Sequence, residues 1–195
     1  MSGGSRPGLL GRRALLGGAL GAAWLLTAGH TPYKQWVVYR QRNLVIGSVR
    51  ADPPTFALAE RVADTLARHL PESRARLGRA PTYPRLGGLL ATAQLQVAVL
   101  EAGAAGALTR GAAPFEGVGA AALRVLYELG GYLLVSIEDF PAHHAYLLCA
   151  TLAEHAEAGL GRLPSAETAG TVPVHPGTLA FVTGGPEPEP PSLPK

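Results

Sequence analysis

Six polar side chains lie where apolar runs, which we interpret as neighbouring strands, come to an end. They are Ser48, Arg50, Thr55, Thr82, Tyr83 and Glu101. In open α/β sheets, ligands bind at the carboxyl edge of the strands. The sequence therefore predicts a shallow ligand-binding shelf at that edge, where Arg50 can donate charged hydrogen bonds to an anion. The alternative is a plain strand–helix turn in which Asp52 caps the helix.

The histidines and the single cysteine give no metal or catalytic pattern. His143 and His144 precede His155 by about three helical turns, a distance of about 16 Å that is too long for one metal ion. We expect the His175 ring to bond a backbone carbonyl rather than to catalyse a reaction. Cys149 falls on the apolar face of a helix, where a cysteine acts as a small core residue. The sequence therefore predicts no metal site.

No pattern in the chain indicates an enzyme. The sequence lacks the Gly-x-Ser-x-Gly nucleophile turn, the Gly-x-x-x-x-Gly-Lys phosphate loop and the His-Glu-x-x-His zinc motif. We therefore expect no catalytic residues and no cofactor, and a binding function rather than a reaction.

Composition and charge narrow the class of protein. The 195 residues are 47% hydrophobic and 16% charged, which is too apolar for a disordered chain and enough for one domain. Residues 1–50 carry seven of the 17 basic residues and no acidic residue. The remainder carries ten basic and all 14 acidic residues, which gives it a net charge of −4. A basic amino-terminal segment is typical of export or membrane anchoring. The body offers no basic stripe for phosphates, so nucleic acid is not an expected partner.

Residues 1–30 resemble a twin-arginine export signal. Arg12 and Arg13 precede an uncharged run over residues 14–28, which is short for a membrane span of about 20 residues. The segment is either a cleaved signal or an uncleaved anchor, and the alternative to both is a buried amphipathic helix of the domain. Residues 31–43 mix aromatic and basic side chains, and they are either a linker at the membrane surface or a short element leading into the fold.

The rest of the chain predicts an α/β fold. Residues 44–49, 74–80 and 95–100 read as parallel strands, and the segment 74–80 has the pattern of an edge strand. Helices are predicted from Asp52 to about residue 70, from Leu86 to about Gln94 and over residues 141–157. The segment 102–122 is interpreted as a loop or a poorly formed helix.

A hairpin and a tail complete the prediction. Gly130 and Gly131 separate two strand candidates, which is a hairpin signal. Residues 183–195 are rich in proline and predict a disordered tail.

Several strings in residues 44–182 resemble the TAXI-type solute receptors of tripartite (TRAP) transporters. They are the run 44–49, the helix that ends at His69-Leu70-Pro71, the run 87–100, the strings 114–117 and 123–126, and the His175-Pro176-Gly177 string within 172–179. The resemblance implies a type II periplasmic-binding-protein fold. That fold has two lobes, which need far more residues than this body provides. We therefore expect a single lobe, with a mixed, mostly parallel sheet flanked by helices.

The resemblance also implies a function in transport. It indicates an exported, periplasmic solute-binding protein that takes a small organic anion weakly or as a homodimer, with membrane transporter subunits as partners. In the family, the loop after the first strand is rich in glycine and threonine, whereas here Pro53 and Pro54 remove two N–H donors. The alternative is a membrane-tethered protein-interaction module with no small-molecule ligand.

Overall fold

The computed structural model of the chain describes residues 43–165 and 172–191. The export-signal prediction for residues 1–30, with Arg12 and Arg13, lies outside the described residues, as does nearly all of the 31–43 linker. In the described part of the chain, no helix combines the length and the apolar character needed to cross a membrane.

A five-stranded mixed sheet forms the centre of the fold. Its strands are β1 (Val45–Val49), β2 (Arg76–Ala80), β3 (Val97–Glu101), β4 (Leu123–Leu129) and β5 (Tyr132–Ile137), in the spatial order β2-β1-β3-β5-β4. β1 pairs in parallel with β2 and β3, and β5 pairs antiparallel with both β3 and β4. The predicted α/β class, the edge position of β2 and the two-glycine hairpin are confirmed.

Helices flank the sheet on both faces. They are α1 (Pro53–His69), α2 (Tyr83–Ala91), α3 (Ala102–Arg110), α4 (Ala142–His155) and α5 (Pro176–Val182). α1 packs on β1, β3 and α4, and α4 also packs on β4 and α5. The right-handed rule for crossovers places α2 on the opposite face, because β2 and β3 lie on different sides of β1.

Residues 102–110 form the helix α3, so the loop interpretation is wrong for this part of the segment 102–122. The Glu101 carboxylate caps the helix by accepting a hydrogen bond of 3.1 Å from the amide of Ala104. Gly111 ends it in the left-handed conformation, with φ of 63°. Its four alanines favour the helix, whereas its two glycines disfavour it. Burial of the Ala104–Leu108 stretch offsets the cost of the glycines.

The other helix boundaries differ from the prediction by a few residues. α2 begins at Tyr83, because Thr82 caps it and Pro84 occupies its first turn, and it ends at Ala91 rather than near Gln94. α4 spans Ala142–His155, slightly shorter than the predicted 141–157. The apolar periodicity located each helix, and the capping residues set its true start.

The His175-Pro176-Gly177 string starts α5 and fixes it against α4. His175 is the N-cap and Pro176 is the first residue of the helix. A Cβ atom at Gly177 would lie 2.0 Å from the carbonyl oxygen of Ala142, so only glycine permits this close approach. The outer side of β4 is covered here as well, because Val125 forms a parallel bridge with Val174.

The tail has no helix or strand between Gly185 and Pro191, and it contacts α4. The His143 Nδ1 atom lies 3.0 Å from the carbonyl oxygen of Pro188, and 3.2 Å from a carboxylate oxygen of Glu187. Disorder of the segment 183–195 stays a prediction.

Candidate functional site

The six predicted site residues all lie at or near the carboxyl edge of the parallel strands. Their side chains nevertheless fall into two groups. Ser48 and Thr55 are buried and bonded to the protein backbone, whereas Arg50, Thr82, Tyr83 and Glu101 reach the surface.

Ser48 holds two strands together. It lies within β1 with no exposed surface, and its hydroxyl donates a hydrogen bond of 3.1 Å to the carbonyl of Gly78 in β2. A ligand at the strand ends cannot reach this hydroxyl without displacing that bond. Ser48 therefore supports the edge and does not face a ligand.

Thr55 closes the turn between β1 and α1. Its hydroxyl oxygen accepts a hydrogen bond of 2.9 Å from the amide of Val49 and lies 2.6 Å from the carbonyl of Asp52. The side chain is fully buried. Pro53 and Pro54 carry no N–H group, so the threonine side chain supplies polar partners that the backbone of this turn lacks.

Arg50 and Thr82 occupy the exposed part of the edge. The Arg50 side chain is exposed, and its backbone amide donates a hydrogen bond of 2.8 Å to the carbonyl of Ala80, which extends the pairing of β1 with β2. The Thr82 hydroxyl accepts a hydrogen bond of 3.4 Å from the amide of Arg85 as the N-cap of α2. Arg50 is thus a cation that the edge presents to solvent.

Asp52 joins two tyrosines at the centre of this edge. The Tyr83 hydroxyl donates a short hydrogen bond to Asp52 Oδ2, and the Tyr132 hydroxyl lies 3.3 Å from Asp52 Oδ1 and donates to it. Tyr132 pairs with Glu101 across β5 and β3, so the Glu101 carboxylate lies beside the same group. Asp52, Tyr83, Glu101 and Tyr132 together are called the acid–tyrosine cluster below.

The electrostatics of the acid–tyrosine cluster keep both phenols protonated. Partial burial raises the pKa of Tyr83, and the hydrogen bond to Asp52 and the negative charge of that carboxylate raise it further. The pKa of Tyr132 is raised by the same causes, with partial burial first. A phenol that does not ionise near neutral pH can donate hydrogen bonds but cannot act as a general base.

The carboxyl edge presents several groups that can form hydrogen bonds to a polar ligand. The edge offers two carboxylates, two phenol hydroxyls and the guanidinium of Arg50, all of which recognise polar ligands through charged hydrogen bonds. Within residues 43–165 and 172–191, no group of three or more His, Cys, Asp or Glu side chains is placed to hold a metal ion.

The sequence analysis missed Tyr132 and assigned Asp52 only the role of a helix cap. In the structure the Asp52 side chain makes no capping hydrogen bond and turns to the two tyrosines instead. The hairpin glycines were a usable signal for Tyr132. A strand that starts directly after Gly130-Gly131 and pairs antiparallel to β3 must begin at the carboxyl end of β3.

His175 and Cys149 both make buried contacts within the protein. The Nδ1 atom of His175 accepts a hydrogen bond of 3.1 Å from the amide of Gly177, so its Nε2–H donates to the carbonyl of Phe140 at 2.9 Å. The expected imidazole–carbonyl bond is confirmed. Cys149 is fully buried, and burial raises the pKa of its thiol to about 12. Its sulfur lies 3.1 Å from both the carbonyl of Leu126 and the hydroxyl of Thr178.

Comparisons with known proteins give no relative for this chain. No family model matches it, no curated protein matches it, and no solved structure matches it. The resemblance to TAXI-type receptors therefore stays a prediction from the sequence strings, and the geometry of the site is the basis for the function proposed next.

Proposed function

We propose that the chain is an exported solute-binding protein, related to the TAXI-type receptors, that binds a small organic acid at the carboxyl edge of its sheet. The observation that carries the proposal is the acid–tyrosine cluster beside the exposed Arg50. Four polar side chains from four different segments of the chain meet there, at the edge where ligands bind in open α/β sheets.

The charges at this edge favour a ligand that carries both an ammonium and a carboxylate group. Arg50 is a donor for the carboxylate of an organic acid. Asp52 and Glu101 attract an ammonium group and repel a second carboxylate. An amino acid satisfies both conditions, whereas a dicarboxylate satisfies only the first.

Binding at this site is expected to be weak in a monomer. One lobe buries a small part of a ligand, and tight small-molecule sites bury most of the ligand surface. A homodimer or a transporter subunit could supply the opposite wall. The location of the protein follows from the amino-terminal segment, which we propose directs it to the periplasm or holds it at the membrane surface.

The alternative function, a membrane-tethered interaction module, requires an exposed apolar surface. Among the residues that the structure describes, the large apolar side chains with high exposure are Leu179 and Val182, which are 44% and 40% exposed. Both lie on α5 and not among the strand ends. The polar character of the carboxyl edge therefore favours a small polar ligand over a partner protein at that edge.

The test compares matched ligands by isothermal titration calorimetry. Glutarate is glutamate without its ammonium group, and 4-aminobutyrate is glutamate without its α-carboxylate, so a zwitterion-selective edge binds glutamate more tightly than glutarate. Arg50→Gln is expected to weaken that binding by about tenfold or more, as for the loss of one charged hydrogen bond. Arg110→Gln is the matched control, because Arg110 lies in the last turn of α3, away from the edge.

A second variant tests the acid–tyrosine cluster. Asp52→Asn is expected to weaken glutamate more than glutarate, since only glutamate carries an ammonium group. Equal heats for all three ligands, or no binding to the monomer and the dimer alike, would contradict the proposal.

A further inference from the structure

A pocket of about 410 Å³ opens at the amino-terminal edge of the sheet, opposite the acid–tyrosine cluster. It lies where the chain enters β1 and β3 and where β5 leads into α4. Its wall includes five apolar side chains, namely Leu44, Leu70, Phe140, Leu147 and Leu148. A pocket of this size that is mainly apolar is typical of small-molecule sites.

The two edges are separated by the length of the strands. β1 and β3 have five residues each, so about 16 Å of strand lies between the two edges. The pocket therefore shares no residue with the acid–tyrosine cluster, and a ligand in it would not contact Arg50 or Asp52.

Ser73 is the residue of the pocket wall whose side-chain hydrogen bond is not made within the described part of the protein. Its hydroxyl oxygen is buried and has no hydrogen-bond partner. A buried hydroxyl without a partner is costly, and most such groups in proteins are satisfied by protein, water or ligand. Ser73 lines the pocket, and rotation about its Cα–Cβ bond can turn the buried hydroxyl toward a ligand there.

Besides Ser73, the polar residues of the pocket wall are Asn43, Glu72, Gln96, His143 and His144, of which only Glu72 carries a carboxylate. Glu72 lines the pocket and brings one carboxylate to it. The Nδ1 atom of His143 must donate to the Pro188 carbonyl, because a carbonyl can only accept. In the neutral ring its Nε2 atom is therefore an acceptor. Glu187, at 3.2 Å from His143, adds a second negative charge nearby.

His144 adds no positive charge to the pocket near neutral pH. Partial burial lowers the pKa of its imidazole, and the neighbouring His143 lowers it further. Glu72 is the acidic residue of the pocket wall, and the complement of its carboxylate is a hydrogen-bond donor with positive charge.

We propose that this pocket binds a small apolar amine, with its ammonium group at Glu72 and the Ser73 hydroxyl. The hydrocarbon part of the ligand lies against the leucines and Phe140, where it is removed from water. The Glu72 carboxylate selects an ammonium over a carboxylate of the same shape.

Three probes of one shape test the ligand class in the complete chain, as isolated from its expression host. They are benzylamine, benzyl alcohol and benzoate, followed by thermal shift and by calorimetry. Benzylamine is expected to raise the melting temperature by several degrees at millimolar concentration, benzyl alcohol by less, and benzoate not at all.

Two variants connect the response to the pocket. Glu72→Gln is expected to weaken benzylamine binding at least tenfold and to leave benzyl alcohol unchanged. Glu60→Gln, an exposed carboxylate on α1 outside the pocket, is the matched control. Ser73→Ala is expected to weaken benzylamine several-fold without lowering the melting temperature of the free protein, because it removes a hydroxyl that has no partner.

Each remaining outcome would overturn the proposal. An equal response to all three probes would show an unselective apolar pocket. No response to any probe in the complete chain would show that no amine binds there. Asp52→Asn is expected to leave benzylamine binding unchanged, and a loss in that variant would place the amine at the carboxyl edge instead.

Discussion

The two edges of the sheet use their polar side chains in opposite ways. At the carboxyl edge, the Asp52 carboxylate accepts from the hydroxyls of Tyr83 and Tyr132, so the polar groups are bonded to one another. At the amino edge, the buried Ser73 hydroxyl has no partner and lies beside an apolar pocket. The first edge is ordered before any ligand arrives, whereas the second leaves a hydrogen bond to be made.

This difference has an energetic consequence for binding. A ligand at the carboxyl edge must compete with hydrogen bonds that already exist, and the net gain from such an exchange is only about 1 kcal/mol per bond. A ligand at the amino edge gains apolar burial as well, at about 25 cal/mol per Å². The carboxyl edge is therefore suited to selective and weak binding, and the pocket to binding driven by its apolar wall.

The largest expected effect is a loss of stability from a substitution in the wall of the amino-edge pocket. Leu148 is 1% exposed and belongs both to the pocket wall and to the core. Leu148→Ala is expected to lower the free energy of unfolding by about 2–5 kcal/mol, because it enlarges a cavity in a region that cannot collapse fully. Urea denaturation followed by circular dichroism measures this loss.

The matched control for that change is Leu179→Ala on α5. Leu179 is 44% exposed, so the same deletion should cost well under half as much. Equal losses for the two leucines would mean that the pocket wall is not packed as the structure shows it.

The second effect concerns pH and the contact between α5 and the end of β5. The neutral His175 ring accepts from Gly177 and donates to Phe140, and burial lowers the pKa of this imidazole. The nearby Arg124 lowers it too, while the Phe140 carbonyl acts in the opposite direction. The unfolded chain then binds a proton at a higher pH than the folded chain does.

Stability should therefore be complete above about pH 6.5 and should fall as the pH drops below that value. The limit for one histidine is about 1.4 kcal/mol per pH unit, and His144, whose pKa is also lowered, acts in the same direction. Urea denaturation between pH 4.5 and 8 checks the slope, and His175→Gln should flatten it. Should that variant not fold, the NMR titration of the His175 ring in the unchanged protein decides the matter, and a midpoint above 6.5 would contradict the assignment.

The sequence predicted the framework of both edges but not their chemistry. Apolar runs located β1 and β3, because buried parallel strands are continuous in hydrophobicity, and the more polar segment of β2 was predicted as an edge strand. The Gly130-Gly131 pair located the hairpin, because two-residue turns need residues that accept positive φ. The sequence did not identify residues 102–110 as a well-formed helix, because glycine and alanine show little hydrophobic periodicity. This helix depends on burial and on the Glu101 cap.

The sites were harder because they depend on contacts between distant parts of the chain. Asp52 and Tyr132 are 80 residues apart, and only the antiparallel placement of β5 brings them together. The amino-edge pocket forms from residues before β1, before β3 and in α4, none of which shares a local motif. Ser48 and Thr55 show the converse error, since polar residues near a strand end can serve the backbone rather than a ligand.

The smallest expected effect comes from a substitution in the acid–tyrosine cluster at the carboxyl edge. Asp52→Asn removes the charge that raises the pKa of Tyr83 and Tyr132 but keeps a side chain of the same shape. The folded protein holds these phenols protonated more strongly than the unfolded chain does, so their contribution to stability is present below about pH 10 and is lost as the pH rises further. In the variant, part of the tyrosine absorbance change at 295 nm should move to lower pH.

The cost to stability at neutral pH should be only about 0.5–1.5 kcal/mol, since the amide still offers one acceptor to the tyrosines. Asp64→Asn, an exposed carboxylate on α1, is the matched control and should leave the absorbance titration unchanged. Tyr127, whose pKa is raised by burial and by Cys149 rather than by Asp52, should titrate identically in all three proteins. If Asp52→Asn moved nothing, the two tyrosines would not be bonded to Asp52 in solution, and the carboxyl edge would be as open as the amino edge.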